Sequence, residues 1–165
     1  MDSIFHRISV RKFEDKEIEA EKMEKLLRAG MQAPSAMNQQ PWEFYVVTNK
    51  EKVSALANSS PYSKNAAGAP AIILPVFRKK GLLVPSLATV DMSISLENIW
   101  LEADSLGLGG VWIALYPAED RMEVARTALE IPDDLVPFAL FPVGYPAESR
   151  SQQDRFDETR IHYVR

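Results

Sequence analysis

The spacing of apolar side chains predicts several amphipathic helices. Apolar residues recur at helical spacing among charged side chains, which is the pattern of a helix with one buried face. The stretches that show it cover residues 18–31, 50–57 and 119–129. A fourth stretch, residues 85–106, is apolar on nearly every side. Such a helix is expected to be buried on most of its faces, either beneath the sheet of its own chain or against a second subunit.

Short runs of β-branched and aromatic residues predict strands between these helices. They cover residues 44–47, 71–77, 111–114 and 138–143. Pro75 lies inside the second run, and proline cannot donate a ladder hydrogen bond, so we expect this strand at a sheet edge or at a bulge. Because helices and strands are interspersed without the regular alternation of a doubly wound sheet, the pattern predicts the α+β class.

No internal repeat or linker divides the chain, and 165 residues suffice for one domain with its own core. We therefore expect a single domain over residues 1–165. The last part of the chain is polar and lacks helical or strand periodicity, yet it carries Phe156, Tyr163 and Val164. Residues 146–165 are thus expected to form a C-terminal tail that packs on a partner subunit.

Charge and composition restrict the class of ligand. A net charge of −4 argues against a nucleic-acid or anionic-membrane binder, which needs a basic surface. The most apolar stretch, residues 82–108, carries four acidic side chains, too many for a bilayer span. No signal peptide is visible, so a cytoplasmic protein is expected. The chain has no cysteine and only two histidines, so no metal site is predicted.

Common catalytic motifs are absent from the sequence. Gly107-x-Gly109-Gly110 follows a helix and precedes a strand, the reverse of the context in which a dinucleotide fingerprint works. There is no phosphate-binding P-loop and no nucleophile elbow. The carboxylates are scattered along the chain, so we name no catalytic acid or base.

Two arginines and a serine lie within five residues near the start of the chain. They are Arg7, Ser9 and Arg11, and Phe13 follows them. A guanidinium is always charged and presents a planar fork of donors suited to phosphate oxygens. In an acidic chain, such local positive charge suits one small phosphorylated ligand. The alternative interpretation is that both arginines only decorate a solvated first turn.

Five segments in the same order give the chain a wider resemblance. They are Arg7-x-Ser9-x-Arg11-x-Phe13, Ala-Pro-Ser-Ala-Met-Asn-Gln-Gln-Pro-Trp at 33–42, Ala-Pro-Ala-Ile-Ile at 69–73, Leu-Gly-x-Gly-x-Val-Trp-Ile at 106–113 and Val-Gly-Tyr-Pro at 143–146. Through nearly its whole length the chain resembles small members of the FMN-dependent nitroreductase family. The resemblance implies a nitroreductase-like fold, with a central mixed or antiparallel sheet flanked by helices. It also implies an intertwined homodimer with FMN at the interface.

The resemblance also implies an activity. The chain would be an FMN-dependent oxidoreductase that transfers hydride from NADH or NADPH through flavin N5 to a small-molecule acceptor, such as a nitroaromatic, a quinone or free flavin. One alternative is a flavin-binding or storage module without turnover. Another is a substrate-specific member that dehalogenates or fragments its substrate. A metal-independent hydrolase that uses Ser35 is a more distant alternative.

Matched position by position, the resemblance puts Arg7 on the FMN phosphate and Ser9 near the phosphate or the ribityl chain. Arg11 would lie against the N1/C2 edge of the isoalloxazine. A fixed cation there stabilises the negative charge that two-electron reduction puts at N1 and O2. Arg155 matches one basic residue of a C-terminal phosphate-binding pair, and Gln153 stands at the other position. Arg150 or Arg160 could substitute for the missing charge.

The remaining matched residues surround the ring itself. The strand segment Val111, Trp112, Ile113 and Ala114 would lie over one flavin face and donate a backbone N–H toward N5, and small residues nearby would let the ring approach. Lys64 matches a lysine near the ribityl chain or O2 in some relatives, although a surface lysine is equally consistent with the sequence. Trp42 is expected in the core. A last set would reach the flavin of the other subunit: Pro34, Ser35, Ala36 and Asn38.

Overall fold

In the computed structural model, which describes residues 2–149 and 151–165, helices flank an antiparallel sheet. The helices are α1 (Ser3–His6), α2 (Ala20–Met31), α3 (Lys50–Ala57), α4 (Ala88–Ser105) and α5 (Glu119–Leu129). The strands are β1 (Trp42–Val47), β2 (Ala71–Arg78), β3 (Gly109–Gly110), β4 (Ile113–Ala114), β5 (Leu135–Pro137) and β6 (Ala139–Gly144). Short 3₁₀ turns cover Ala36–Asn38, Lys64–Gly68, Pro85–Leu87 and Glu158–Arg160. The predicted α+β class is confirmed.

The sheet is built around β2 and β6. Its order is β1-β2-β6-β3, with β5 also paired to β2 and β4 also paired to β6. All of these strand pairs are antiparallel. The fourth predicted strand, residues 138–143, corresponds to β6. The sequence analysis did not predict β5, which precedes it, and the chain leaves the ladder at Phe138 between the two strands.

Of the two predicted positions for Pro75, a sheet edge or a bulge, the structure has the bulge. β2 is not an edge strand, because it pairs with β1 on one side and with β5 and β6 on the other. Ile73 pairs with Phe141, while Val76 pairs with Pro137. Three residues (138 to 140) therefore stand opposite two (74 and 75), which is a bulge. The bulge lets a proline occupy a central strand, since the ladder there needs no N–H from Pro75.

Helix α4 is covered mainly by its own chain. Met92, Leu96 and Ile99 are fully buried, and full burial of each such side chain contributes about 1.5–3 kcal/mol. α4 begins at Ala88 rather than at residue 85, because Pro85–Leu87 forms a 3₁₀ turn before it. Val90 remains 50% exposed, so the chain covers the first turns of α4 only in part. No helix in the described part of the chain is long and apolar enough to span a membrane.

The segment that follows α1 is extended and joins two parts of the sheet. The N–H of Val10 donates to the C=O of Gly110 over 2.9 Å, and Phe13 forms an antiparallel bridge with Pro146. The N–H of Ala147 donates to the C=O of Lys12, also over 2.9 Å. The predicted helix begins only at Ala20. The arginine cluster therefore lies on a strand-like segment and not in a helical turn.

The hydroxyl of Tyr145 links the end of β6 to α2. It donates to Glu19 Oε2 over 2.7 Å and accepts from Lys22 Nζ over 2.9 Å. Lys22 Nζ also donates to the C=O of Leu106. The hydrogen bond from Tyr145 lowers the pKa of Glu19, and the hydrogen bond to Tyr145 raises the pKa of Lys22. This contact holds the chain after β6 against the start of α2.

Replacing Gly110 by alanine should destabilise the protein. A Cβ at Gly110 would lie 2.5 Å from Phe141 Cζ and 2.8 Å from the backbone oxygen of Pro142, which cannot move aside easily. We expect Gly110→Ala to lower the free energy of unfolding by about 1–3 kcal/mol, measured by urea denaturation. Gly68→Ala is the control, because a Cβ there meets nothing within 4 Å. Equal stabilities of the two variants would contradict this packing argument.

Replacing Tyr145 by phenylalanine should raise the pKa of Glu19 toward its ordinary value, because the carboxylate loses its strongest hydrogen bond. A carboxyl with a lowered folded-state pKa stabilises the fold above its unfolded pKa, and this stabilisation is lost as the pH falls through the folded pKa. Tyr145→Phe should therefore weaken the pH dependence of stability in that acidic range. NMR titration of the Glu19 carboxyl measures the shift. Tyr163→Phe, in the exposed tail, should leave the pKa unchanged.

Candidate functional site

The guanidinium of Arg7 is held in a defined orientation. Its Cζ lies 4.0 Å from the centroid of the Trp100 ring, and its Nε lies 3.6 Å from Glu97 Oε1. The side chain is only 14% exposed. The interpretation of Arg7 as a solvated surface residue is therefore wrong. Trp100 contacts the guanidinium over its ring, and the Glu97 carboxylate lies beside Nε. The terminal N–H groups of the guanidinium are therefore available to a ligand.

Ser9 and Arg11 continue from Arg7 along the extended segment. Residues two apart in an extended chain point to the same side, so the Arg-x-Ser-x-Arg spacing places the three side chains on one face. Ser9 forms a parallel bridge with Gly110. The N–H of Arg11 donates to Glu148 Oε1 over 2.7 Å, and the Arg11 side chain is exposed. The extended segment thus places the predicted site residues Arg7, Ser9 and Arg11 beside β3.

The strand formed by β3 and β4 presents an unusual backbone edge. Its register on β6 is continuous, since Gly109 pairs with Gly144 and Ile113 with Leu140 without a shift. The N–H of Val111 donates to the C=O of Pro142 in β6, and the N–H of Leu115 donates to the C=O of Phe138. Residues between these odd-numbered positions therefore direct their N–H and C=O groups away from β6. Pro142, opposite Val111, has no N–H to return, which interrupts the ladder between β3 and β4.

The groups on this outward edge are Gly110, Trp112 and Ala114. The C=O of Gly110 accepts from Val10, and the C=O of Ala114 accepts from Arg121 Nη1 over 3.3 Å. Between these two contacts, the alternation directs the N–H groups of Trp112 and Ala114 outward. This geometry suits a ligand whose flat edge carries hydrogen-bond acceptors.

The glycines before this edge have a packing role. A Cβ at Gly109 would lie 2.5 Å from Val10 Cγ2, and one at Gly110 would meet Phe141. The space beside both glycines is therefore filled by the chain itself. Packing within the chain is therefore a sufficient reason for glycine at these two positions. Trp112 is half-buried and packs edge-on against Phe138, with ring centroids 5.6 Å apart.

A second group of predicted residues lies in the turn before β1. Pro34 and Asn38 are exposed, while Ser35 and Ala36 are half-buried. Ser35 Oγ accepts from the N–H of Gln40 over 3.0 Å, and the N–H of Ala36 donates to Asp91 Oδ1 over 2.9 Å. Trp42, which follows the turn, is buried in the core as predicted.

Helix α4 separates the two groups of residues. Asp91 contacts the turn before β1, and Trp100 contacts Arg7. These helix positions are nine residues apart, which corresponds to about 14 Å along the axis and about half a rotation around it. The chain therefore brings Arg7, Ser9, Arg11 and the β3–β4 edge together, but it holds residues 34–38 on the other side of α4.

The remaining predicted residues lie at the periphery. Lys64 is exposed at the start of its 3₁₀ turn, and Ile113 is buried beneath the β3–β4 edge. Arg155 is exposed in the tail, three residues after Gln152, whose side-chain amide donates to the C=O of Arg7. Arg160 forms an ion pair with Asp157 over 3.0 Å. Arg150 lies outside the described residues.

A cavity of about 440 Å³ opens beside Arg7 and is lined by Trp100, Asp104 and Gln152 among others. The sequence analysis did not assign these residues to the site. A signal was present, because Asp104 is one of four acidic residues in a helix that is apolar on most of its faces. A larger cleft of about 820 Å³ lies beside β1, and none of the predicted site residues lines it.

Comparisons with known proteins show the family of this chain. The nitroreductase family model matches residues 4–61 and 58–145. A Methanothermobacter thermautotrophicus protein, provisionally named NADH dehydrogenase/NAD(P)H nitroreductase, is 40% identical over 98% of this chain and 85% of its own length.

Two solved structures extend the comparison. A protein provisionally named NADH oxidase from Clostridium acetobutylicum superposes with a TM-score of 0.96 and 41% identity over 99% of each chain. A provisionally named nitroreductase from Desulfovibrio desulfuricans, solved in complex with FMN, has a TM-score of 0.84 and 26% identity over 99% of this chain and 95% of its own. The predicted nitroreductase-like fold is confirmed, and the chain belongs to the nitroreductase family.

Proposed function

We propose that this protein is an NAD(P)H-dependent FMN oxidoreductase that works as a homodimer. The observation that carries the proposal is the pairing of an oriented guanidinium, Arg7, with an outward backbone edge at Trp112 and Ala114. Family membership supports it, as does the solved relative in complex with FMN.

The residues present fit FMN by their chemistry. The group around Arg7 and Arg11 supplies cationic donors, which suit a phosphate, although the chain as a whole has a net charge of −4. The outward N–H groups of the β3–β4 edge suit the acceptor atoms along one side of an isoalloxazine. FMN carries a phosphate at one end and a flat ring with acceptor atoms at the other. The arginine group suits the phosphate, and the β3–β4 edge suits the ring.

Each predicted residue then has a defined task. Arg7 binds the phosphate with help from Arg155, and Ser9 binds near the phosphate or the ribityl chain. Arg11 puts positive charge beside N1 and O2, where reduction increases negative charge. The segment from Val111 to Ala114 donates a backbone N–H toward N5, and Lys64 contacts the ring edge or the ribityl chain.

FMN, when bound, supplies the two-electron chemistry by which NADH or NADPH is oxidised and an acceptor is reduced. Nitroaromatics, quinones and free flavin are the acceptors that we propose. The chain itself binds and orients the cofactor and leaves one ring face open to the two substrates in turn. No side chain is assigned as an acid or a base.

The second subunit completes the site in this proposal. Pro34, Ser35, Ala36 and Asn38 contact the flavin of the partner, which is consistent with their separation from Arg7 by α4. The start of the tail predicted at 146–165 binds its own chain, because Ala147 and Gln152 donate to the segment at residues 7–13. The later part of the tail packs on the partner in this proposal, since Phe156 and Tyr163 are 75% and 73% exposed in the single chain. Residues 1–165 then form one FMN-binding domain whose exposed apolar surface is covered by dimerisation.

Anaerobic titration tests the activity directly. Purified protein should be yellow or should take up added FMN, and NADH or NADPH should bleach the visible flavin absorbance. Addition of a quinone or a nitroaromatic should restore the colour. Protein that fails to take up FMN contradicts the proposal. Bound flavin that neither nucleotide bleaches would favour the storage module instead.

The substitution Arg7→Ala tests the phosphate site. Each charge-assisted hydrogen bond lost is worth about 1.5–3 kcal/mol, so FMN affinity should fall at least about 10-fold. Quenching of flavin fluorescence during titration measures this affinity. Arg28→Ala is the matched control, because Arg28 is exposed on α2 and paired with Glu24. Unchanged affinity in Arg7→Ala would show that the phosphate binds elsewhere.

A further inference from the structure

The side chain of Asp91 is buried near the start of α4 and binds a neighbouring turn. It is 2% exposed, and its two carboxyl oxygens accept from the Ala36 N–H over 2.9 Å and from Gln39 Nε2 over 2.7 Å. Gln39 is itself 8% exposed. Burial of these polar groups is unfavourable unless their hydrogen bonds are made, so the contact is specific.

Gln39 extends the contact to the chain that leads into α4. Its Nε2 also donates to the C=O of Val84 over 3.1 Å, and its Oε1 accepts from the N–H of Val84 over 2.9 Å. The pair of Asp91 and Gln39 therefore joins three segments: α4, the loop before it and the turn at residues 35–40. We call this pair the clamp.

The turn that the clamp holds has an unfavourable backbone. Met37, Asn38 and Gln40 have φ values of 50°, 52° and 45°, in the left-handed region that side chains disfavour. Such conformations persist only where surrounding contacts over-determine them, and they concentrate at binding sites.

Burial of the left-handed residues' own side chains does not explain this conformation. Met37 is 72% exposed, and Asn38 is exposed as well. Hydrogen bonds hold the turn instead. The N–H of Ala36 and Nε2 of Gln39 donate to Asp91, and the N–H of Gln40 donates to Ser35 Oγ. Arg78 Nη2 also donates to the C=O groups of Gln39 and Gln40. The fold thus uses a buried polar pair to shape a surface turn that contributes little to its own core.

We propose that Asp91 and Gln39 are positioning residues that hold the turn at residues 35–40 in its left-handed conformation, so that it meets the flavin site of a second copy of this chain. The inference rests on the proposed function and deepens it. Neither residue touches the flavin; both act through the backbone of the turn.

Paired substitutions separate positioning from stability. Asp91→Ala should lower kcat/KM for the acceptor about 10- to 100-fold, because small displacements of positioned groups have effects of this size. Ser95→Ala is the matched control, since Ser95 is fully buried on the same helix and donates to the C=O of Gly30 over 2.9 Å. It should lower the melting temperature but leave kcat/KM unchanged. Equal kcat/KM in Asp91→Ala and wild type overturns the proposal.

A rescue experiment serves if Asp91→Ala does not fold. Gln39→Glu places a carboxyl against that of Asp91 and should also lower kcat/KM. Adding Asp91→Asn restores a donor–acceptor pair across the contact and should recover part of the loss. Recovery stays partial because the C=O of Val84, which accepts from Gln39 Nε2 in the wild type, then faces a carboxylate oxygen. A double variant with additive losses would overturn the proposal, because residues that act through one contact must show coupling.

Mixed dimers test whether the turn acts on the partner. A dimer of one Asp91→Ala chain and one Arg7→Ala chain has both defects in one site and neither in the other, if the turn acts across the interface. Such a dimer, isolated with two affinity tags, should keep about half of the wild-type turnover, because the two sites are related by two-fold symmetry. If the turn acts within its own chain, both sites are damaged, and a turnover as low as that of the single-variant dimers overturns the proposal.

The failures are distinguishable. If wild-type protein takes up no FMN, or if neither nicotinamide bleaches the bound flavin, the proposed function itself fails. If the wild type takes up FMN and is bleached, and Asp91→Ala keeps the wild-type kcat/KM as Ser95→Ala does, the proposed function stands. Only the positioning role is then refuted.

Discussion

The hydrogen bond from the Val10 N–H to the Gly110 C=O holds the two halves of the candidate site together. It docks the arginine-bearing segment against the outer edge of β3, with Val10 packed where a side chain at Gly109 would otherwise lie. Ser9 bridges the same strand. A cationic group and a row of outward backbone donors therefore share one rigid support, although about 100 residues separate them along the chain.

Helix α4 contacts both groups of candidate site residues through side chains that lie among its apolar residues. Its apolar residues form the core, but Glu97 and Trp100 orient Arg7 on one side while Asp91 holds the strained turn on the other. One helix thus contacts both groups of candidate site residues, which the single chain keeps apart. Association of two copies is a physical way to join such groups, because a two-fold axis pairs each surface with the other one.

Membership of the nitroreductase family is consistent with a site that orients a ligand and supplies charge without a catalytic acid or base. A flavin carries its own reactivity, so a protein that uses it needs orientation, charge and an open ring face more than acids and bases. The absence of an evident catalytic pair in the sequence agrees with such chemistry. Buried polar contacts such as the clamp then matter through the geometry that they hold.

The sequence by itself determined the local structure and the chemical class. Helical periodicity located α2, α3, α4 and α5 to within a few residues, because one buried face leaves a clear record in sequence. Motif order identified the family and directed attention to Arg7, Ser9 and Arg11. Helix α1 was missed because it has four residues and none of them is buried.

Only the tertiary structure decided how these parts meet. Pro75 occupies a central strand because a bulge across the sheet removes the need for its N–H, and no local pattern records that distant partner. Asp91 and Glu97 read along the chain as acids in an apolar helix. Their opposite roles depend on which segment packs on each side of α4, which long-range contacts determine and helical periodicity does not.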